Sequence, residues 1–310
     1  QRAETPRPRP WILVVLGVVA LLVIVEVAFL FKGKADRQRR LVQVATIAER
    51  GGAQRPDAFH GALTMKIDPL DRVVLVDSDW KKVALWNAMT GDFILALDAE
   101  DAGRERFNPA VADGDASGRI FVLDRAAQEV YVFDAQGERV ARWSAPHASS
   151  IAVSDAGEVF ASDNHKMQIV RYDADGQVLA RFAGAGTGKG RLSDPYHLDV
   201  DSQGRLYVVD QGNQRVQSFT VEGDFLAAWP LKFEPTIIIG VTTLGDEVYV
   251  NDFENSQIWV YSPRGRLIGQ IKMYYPSNVA VDSEGRFYLP TNAGIGRYVL
   301  ESTQTPSDKE

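Results

Sequence analysis

Few residues of this chain could do chemistry. Among 310 residues there are four histidines (His60, His147, His165 and His197) and no cysteine. Thiol catalysis, disulfides and thiolate metal centres are excluded, and a histidine-rich metal centre has too few ligands. The carboxylates are more regular. Asp77, Asp124, Asp163, Asp210 and Asp252 each end a short apolar run and recur about every 43 residues. A catalytic acid occupies one place in a site. A carboxylate repeated in five units reads instead as a turn residue accepting backbone amides. Gly184, Gly186, Gly188 and Gly190, in AGAGTGKG, evoke a phosphate loop, but the run lacks GK[ST] and lies between strand units. No G-x-S-x-G or H-E-x-x-H occurs either. Nucleotide binding is therefore not expected.

The elements that hold these residues are strands. Six segments recur: VVLVD, IFVLD, VFASD, LYVVD, VYVND and FYLPT, ending at Asp77, Asp124, Asp163, Asp210, Asp252 and Thr291. Each is followed by a second apolar run bearing Trp86, Phe133, Tyr172, Phe219, Tyr261 or Leu300. Gly118, Gly157, Gly204 and Gly285 mark the preceding turn. Short alternating runs between Asp/Gly turns predict antiparallel strands, four to a unit. Six such units predict an all-β six-bladed propeller. The last unit lacks a fourth strand, while RLVQVATIA (40–48) precedes the first and is unpaired. That N-terminal strand is expected to complete blade six and remove an open edge.

The units resemble NHL repeats, and the fold they imply is NHL/TolB-like. The clearest is DPYHLDVDSQGRLYVVDQGNQRVQSFTVEGDFLAAW (194–229), where Pro195, Asp201, Gly204, Asp210, Asn213, Arg215, Val216 and Phe219 match the pattern. Pro109, Asp115, Gly118, Asp124 and Phe133 match in blade two, and Pro276, Asp282, Gly285 and Leu300 in blade six. Related propellers include lyases that use several histidines and lactonases that use calcium. The resemblance therefore implies a ring of inner-strand positions, here Thr64, Val111, Ser150, His197, Ile238 and Asn278, with a single histidine. For calcium, Asp68, Asp199 and Asn278 are the best available oxygen donors.

Residues 11–31, WILVVLGVVALLVIVEVAFLF, form a 21-residue apolar run with one charge. As a helix it would span about 30 Å, the hydrocarbon thickness of a bilayer. The organisation expected is a tail (1–10), a transmembrane helix (11–31), a basic juxtamembrane linker (32–40), the propeller (41–302) and a C-terminal tail (303–310). Glu26 lies within the span and is expected to face a partner in the membrane. Lys32, Lys34, Arg37, Arg39 and Arg40 would meet anionic lipid headgroups. Residues 1–40 carry eight basic and three acidic side chains, a net of +5, so the remainder carries −12 of the formal −7. A body this acidic argues against nucleic acid. A strict positive-inside count places the propeller in the cytoplasm. Likeness to exported propellers places it in the periplasm of a bacterial inner membrane, and that placement is adopted here.

With little visible chemistry, the sequence favours a non-catalytic accessory or scaffold subunit of a bacterial membrane complex, contacting integral membrane subunits. Arg104, Arg106, Phe107, Tyr196, His197, Tyr274 and Tyr275 are the expected contact residues. Two alternatives stand beside it. One is a calcium-dependent lyase or lactonase-like enzyme, the other a membrane-tethered sensor or ligand-binding module.

Overall fold

The computed structural model describes residues 38–51, 56–231, 238–272 and 278–303. The apolar run 11–31, Glu26, Lys32, Lys34, Arg37, Tyr274 and Tyr275 lie outside them. Among the described residues no helix is long and apolar enough to cross a membrane.

Alternating patterns and Asp/Gly turns give six sheets. Five are antiparallel and built from four consecutive strands, and the sixth joins the N-terminal strand to the last three, with Ala58–Phe59 added in parallel. Blade one comprises Ala62–Ile67, Arg72–Asp77, Lys82–Asn87 and Phe93–Leu97. Blade two is Pro109–Gly114, Ile120–Asp124, Glu129–Phe133 and Arg139–Ser144. Blade three is Ala148–Val153, Val159–Asp163, Gln168–Tyr172 and Val178–Ala183. Blade four is Pro195–Val200, Arg205–Asp210, Arg215–Thr220 and Phe225–Pro230. Blade five is Ile238–Leu244, Glu247–Asp252, Gln257–Tyr261 and Leu267–Lys272. Blade six contributes Ala280–Val281, Phe287–Pro290 and Gly294–Thr303. Its outer strand is Gln38–Arg50, antiparallel to Gly294–Thr303. This strand begins inside the stretch read as a linker, so the backbone of Arg39 and Arg40 is paired with Ser302 and Glu301. The first strand of each blade neighbours that of the next, and Ala280–Val281 returns to Ala62–Ile67, so the sheets close into a ring.

The core lies between blades. Six apolar clusters each straddle one blade-to-blade junction, which is why no unit could bury its faces alone. The middle strands, such as Arg72–Asp77, are buried on both faces, whereas outer strands such as Arg139–Ser144 alternate. One contact repeats around the ring. The glycine in the last turn of a blade lies against a side chain from the outer strand of the blade before. Gly176 meets Trp143 and Gly265 meets Trp229, each with φ near +80°. A Cβ at Gly176 would lie 2.2 Å from Trp143 Cγ, so both the turn and the close approach demand glycine.

The hairpin turn after each inner strand has its own repeat. Asp68, Asp115, Asp201 and Asp282 each accept from the backbone amide and from the guanidinium four residues on, at Arg72, Arg119, Arg205 and Arg286. Gly118, Gly204 and Gly285 close three of these turns, and Gly157 closes the corresponding turn of blade three, where Ser154 replaces the aspartate. Arg72 also donates to the Gly118 carbonyl in the next blade, so the pair staples neighbours as well as the turn.

Candidate functional site

Each inner strand runs along the channel wall, and its register against the second strand decides which side chains face the axis. The position opposite the residue before the turn aspartate holds Thr64, Val111 and Gly240 in blades one, two and five. By the same register it holds Ser150, His197 and Asn278 in blades three, four and six. Blade five departs from the sequence reading. Ile238 pairs with Asp252 itself, and a register shift brings Gly240 to the ring instead. These six residues line one cavity of about 30 Å³, room for little more than a water-sized group.

Gly240 has a consequence. Its missing side chain lets Asn251, on the second strand of blade five, reach the cavity. A Cβ at Gly240 would lie 2.8 Å from the Asn251 amide nitrogen. Asn251 is 1 % exposed, and its Oδ1 has no hydrogen-bond partner among the described residues. A buried amide oxygen without a donor is costly, so this atom is set to accept one. Sequence reasoning missed it. The available signal was a glycine at the ring position opposite a polar residue.

His197 is half-buried on the same wall, and its ring lies edge-on to Tyr196 at 4.7 Å. Its nitrogens have no hydrogen-bond partner among the described residues. Burial, then the charges of Lys66 and Arg125, push its pKa down to about 3, so the imidazole is neutral at pH 7. Arg125 is exposed, sits 5.9 Å from the Tyr196 ring and donates to the Ser149 carbonyl at 2.7 Å. No carboxylate pairs with it among the described residues. The mouth thus presents one cation, one aromatic ring and one neutral imidazole.

Deeper on the axis, Lys66 Nζ donates to Asp113 Oδ2 at 2.7 Å and Asp199 Oδ1 at 3.0 Å, with the Leu198 carbonyl at 3.4 Å. Thr243 donates to Asp199 Oδ2 at 2.9 Å, and the Val153 amide to Asp113 Oδ2 at 3.0 Å. Burial works against the ammonium, but the two carboxylates outweigh it and raise its pKa, so Lys66 stays charged. Burial raises both carboxylates, with Lys66 opposing, and Asp113 raises Asp199 further.

The three residues read as a calcium set do not share a site. Asp68 is buried in its hairpin turn and held by Arg72, making it one of the repeated Asp–Arg pairs. Asp199 is taken by Lys66 and Thr243. Asn278 donates its amide to the Leu63 carbonyl at 2.6 Å. Among the described residues no three histidine or acidic side chains cluster to hold a metal.

The repeated aspartates sit at the mouth-side turns. Asp77 accepts the amides of His60, Gly61, Asp79 and Trp80. Asp124 accepts those of Asn108 and Ala127, and Asp163 those of His165 and Lys166. Asp210 accepts from Ser193 and Arg215, and Asp252 from Asn255 and Trp259. Of the residues read as contact anchors, Phe107 is buried against Tyr131, Arg104 reaches Glu129 at 3.6 Å, and Arg106 is exposed.

No family model matches the chain. A 45-residue stretch is 42% identical to the human NHL repeat-containing protein 3, covering 14% of this chain and 13% of that protein. Among solved structures, a gluconolactonase from Xanthomonas campestris superposes with a TM-score of 0.62 at 16% identity, covering 89% of this chain and 97% of that one. Virginiamycin B lyase from Staphylococcus aureus does so at 0.57 and 14%, covering 87% and 90%. A streptogramin B lyase gives 0.57 at 12%, covering 76% and 78%. At such identities the likeness establishes the six-bladed propeller fold. It also corrects the expectation of a non-catalytic accessory subunit, because these similar propellers are lyases and a lactonase rather than scaffolds.

Proposed function

We propose that this chain is a propeller enzyme of the lyase or lactonase kind, NHL-like in its repeats, acting on a small polar substrate at the channel mouth. The observation that carries this reading is His197. A neutral imidazole with nitrogens unpartnered among the described residues lines the same cavity as Asn251, whose buried Oδ1 also lacks a partner among them. Such an imidazole can accept a proton from substrate or from a water that it orients. Asn251 Oδ1 would receive a hydroxyl or amide hydrogen of the substrate. Arg125 would hold an anionic group at the mouth.

Charge couples these roles. An imidazole held down to about 3 is a weak base in the free channel. A negative group beside Arg125 offsets one of the two cations that depress it, so the base strengthens as substrate arrives. Nothing here needs Lys66 to donate to substrate, since its hydrogens already serve Asp113, Asp199 and Leu198.

Calcium would supply Lewis-acid polarisation in an enzyme of this kind. The donor set does not fit it, because the two converging carboxylates already enclose an ammonium, and no step is drawn through a metal. The apolar run 11–31 supports a membrane tether, and likeness to exported propellers favours the periplasm of a bacterial inner membrane, with Lys32, Lys34 and Arg37 against anionic lipid.

The test is turnover of a panel of lactones and cyclic esters by the full chain and by His197→Gln and Asn251→Ala. A substrate whose kcat/KM falls at least about 100-fold in His197→Gln supports the reading. Turnover unaffected by His197→Gln overturns the assignment of the site. A ligand that raises the melting temperature without being consumed would instead favour a ligand-binding module.

A further inference from the structure

The axial cluster joins more of the ring than a surface ion pair does. Lys66 extends from blade one to Asp113 on blade two and to Asp199 on blade four, which stands opposite across the ring. The Val153 amide adds blade three and the Thr243 hydroxyl adds blade five. The three charged side chains are only 8–15 % exposed, so water does little to separate the two carboxylates electrostatically. Two carboxylates facing each other there repel unless a cation lies between them or one takes up a proton.

We infer that the Lys66 ammonium is the axial cation of this propeller, a covalently tethered substitute for a divalent metal between Asp113 and Asp199. The geometry carries this. The ammonium sits at 2.7, 3.0 and 3.4 Å from three oxygens contributed by two blades. Calcium needs six to eight oxygens at about 2.3–2.6 Å and cannot share that space with Nζ. The same carboxylates without the lysine are an oxygen site with a carbonyl beside them. A tethered cation makes the channel's charge independent of free calcium. A metal would have to displace Lys66 and leave its ammonium buried without a partner. The inference concerns the cation alone and holds whether or not the channel is catalytic.

The test is calcium binding rather than turnover. Calorimetric titration of the full chain with calcium should show no saturable binding up to about 1 mM, a range that weak natural calcium modules already fill. Saturable binding that Asp199→Asn abolishes overturns the inference. Lys66→Met removes the charge and keeps an unbranched stem. It should bind one calcium at least about 100-fold more tightly than the parent, and melt at higher temperature with calcium than with chelator. Lys66→Met combined with Asp199→Asn should lose that calcium response. To guard against a variant that fails to fold, Lys66→Met is refolded in parallel with calcium and with chelator. Recovery with calcium alone supports the inference. Recovery in both without a calcium-dependent rise in melting temperature, or recovery in neither, overturns it, because calcium would then not replace the ammonium.

Discussion

Replacing His197 by glutamine should flatten the acid limb of the stability profile. The reasoning runs through proton counting. In the folded ring His197 binds a proton only near pH 3, held down by burial first and then by Lys66 and Arg125, whereas an exposed histidine titrates near 6.5. Between those values the unfolded chain carries a proton that the folded chain refuses, so folding weakens as pH falls from about 6.5 towards 3. At pH 5 the linkage amounts to about 2 kcal/mol relative to pH 7.5, an upper figure because the channel wall is partly open to water. Asp113 and Asp199 titrate in the opposite sense. Their raised values relieve the folded state as pH falls, but that relief is common to parent and variant and cancels in the comparison. The assay is urea unfolding of the full chain in mild detergent at pH 7.5 and 5.0. The parent should lose about 2 kcal/mol more between the two than His197→Gln does. An identical loss in both proteins would refute a buried neutral imidazole on the channel wall.

Three further substitutions probe the frame that holds the site. Arg72→Leu strips the partner from Asp68, whose carboxylate is fully buried, and should cost about 3–5 kcal/mol at pH 7 by urea unfolding. Burial already raises the Asp68 pKa against the pull of Arg72, so that cost should shrink as acid protonates the orphaned carboxylate. Gly176→Ala and Gly245→Ala share a positive φ, but a Cβ at Gly176 meets Trp143 while one at Gly245 meets nothing within 4 Å. The backbone term is about 1–2 kcal/mol at either site, and overpacking should add about 1–3 at Gly176 alone. Deleting residues 41–49 removes buried Leu41 and Ile47 together with the pairing to Gly294–Thr303. The whole ring should then melt earlier in calorimetry as a single transition, and an unchanged melting temperature would count against closure by this strand.

The repeating features were open to reading because repetition is itself a signal. A strand, an aspartate and a glycine recurring about every 43 residues define a blade without further help. The axial cluster gave no such signal. Lys66, Asp113 and Asp199 share one register position in three blades, and each reads locally as an ordinary polar residue in an alternating strand. Only ring closure brings the Lys66 ammonium to 2.7 Å from Asp113 and 3.0 Å from Asp199. Asn251 was hidden for a different reason. The same position holds Val76, Leu123 and Val209 in blades one, two and four and Ser162 in blade three, so an apolar core residue is the commoner expectation. It reaches the channel because Gly240, on the neighbouring strand, lacks a side chain. The calcium reading of Asp68 leaves out Arg72, four residues on, which holds its carboxylate. Set beside Asp115–Arg119, Asp201–Arg205 and Asp282–Arg286, it is visibly the turn lock of its blade.

The axis is where a six-fold repeat must break. A side chain at an inner-strand position meets its five counterparts at close range, so six copies of one charge there would repel and six copies of one bulky group would collide. The turn aspartates escape this problem because each is satisfied within its own blade or by the adjoining connection. Channel residues cannot be. The position two beyond the ring reads Lys66, Asp113, Ala152, Asp199, Thr242 and Ala280, so that one ammonium lies between two carboxylates and the other three side chains are uncharged. The ring position itself carries one imidazole, two hydroxyls, one amide, one valine and one glycine. Divergence among blades at these two levels follows partly from packing, since a symmetric channel could not close. Packing alone would be met by small apolar residues such as Ala152 and Ala280. It does not call for a neutral imidazole, an orphaned amide oxygen and a bridged pair of carboxylates in one channel. Those groups raise the cost of the fold, and a polar ligand at the channel mouth is the feature that would offset it.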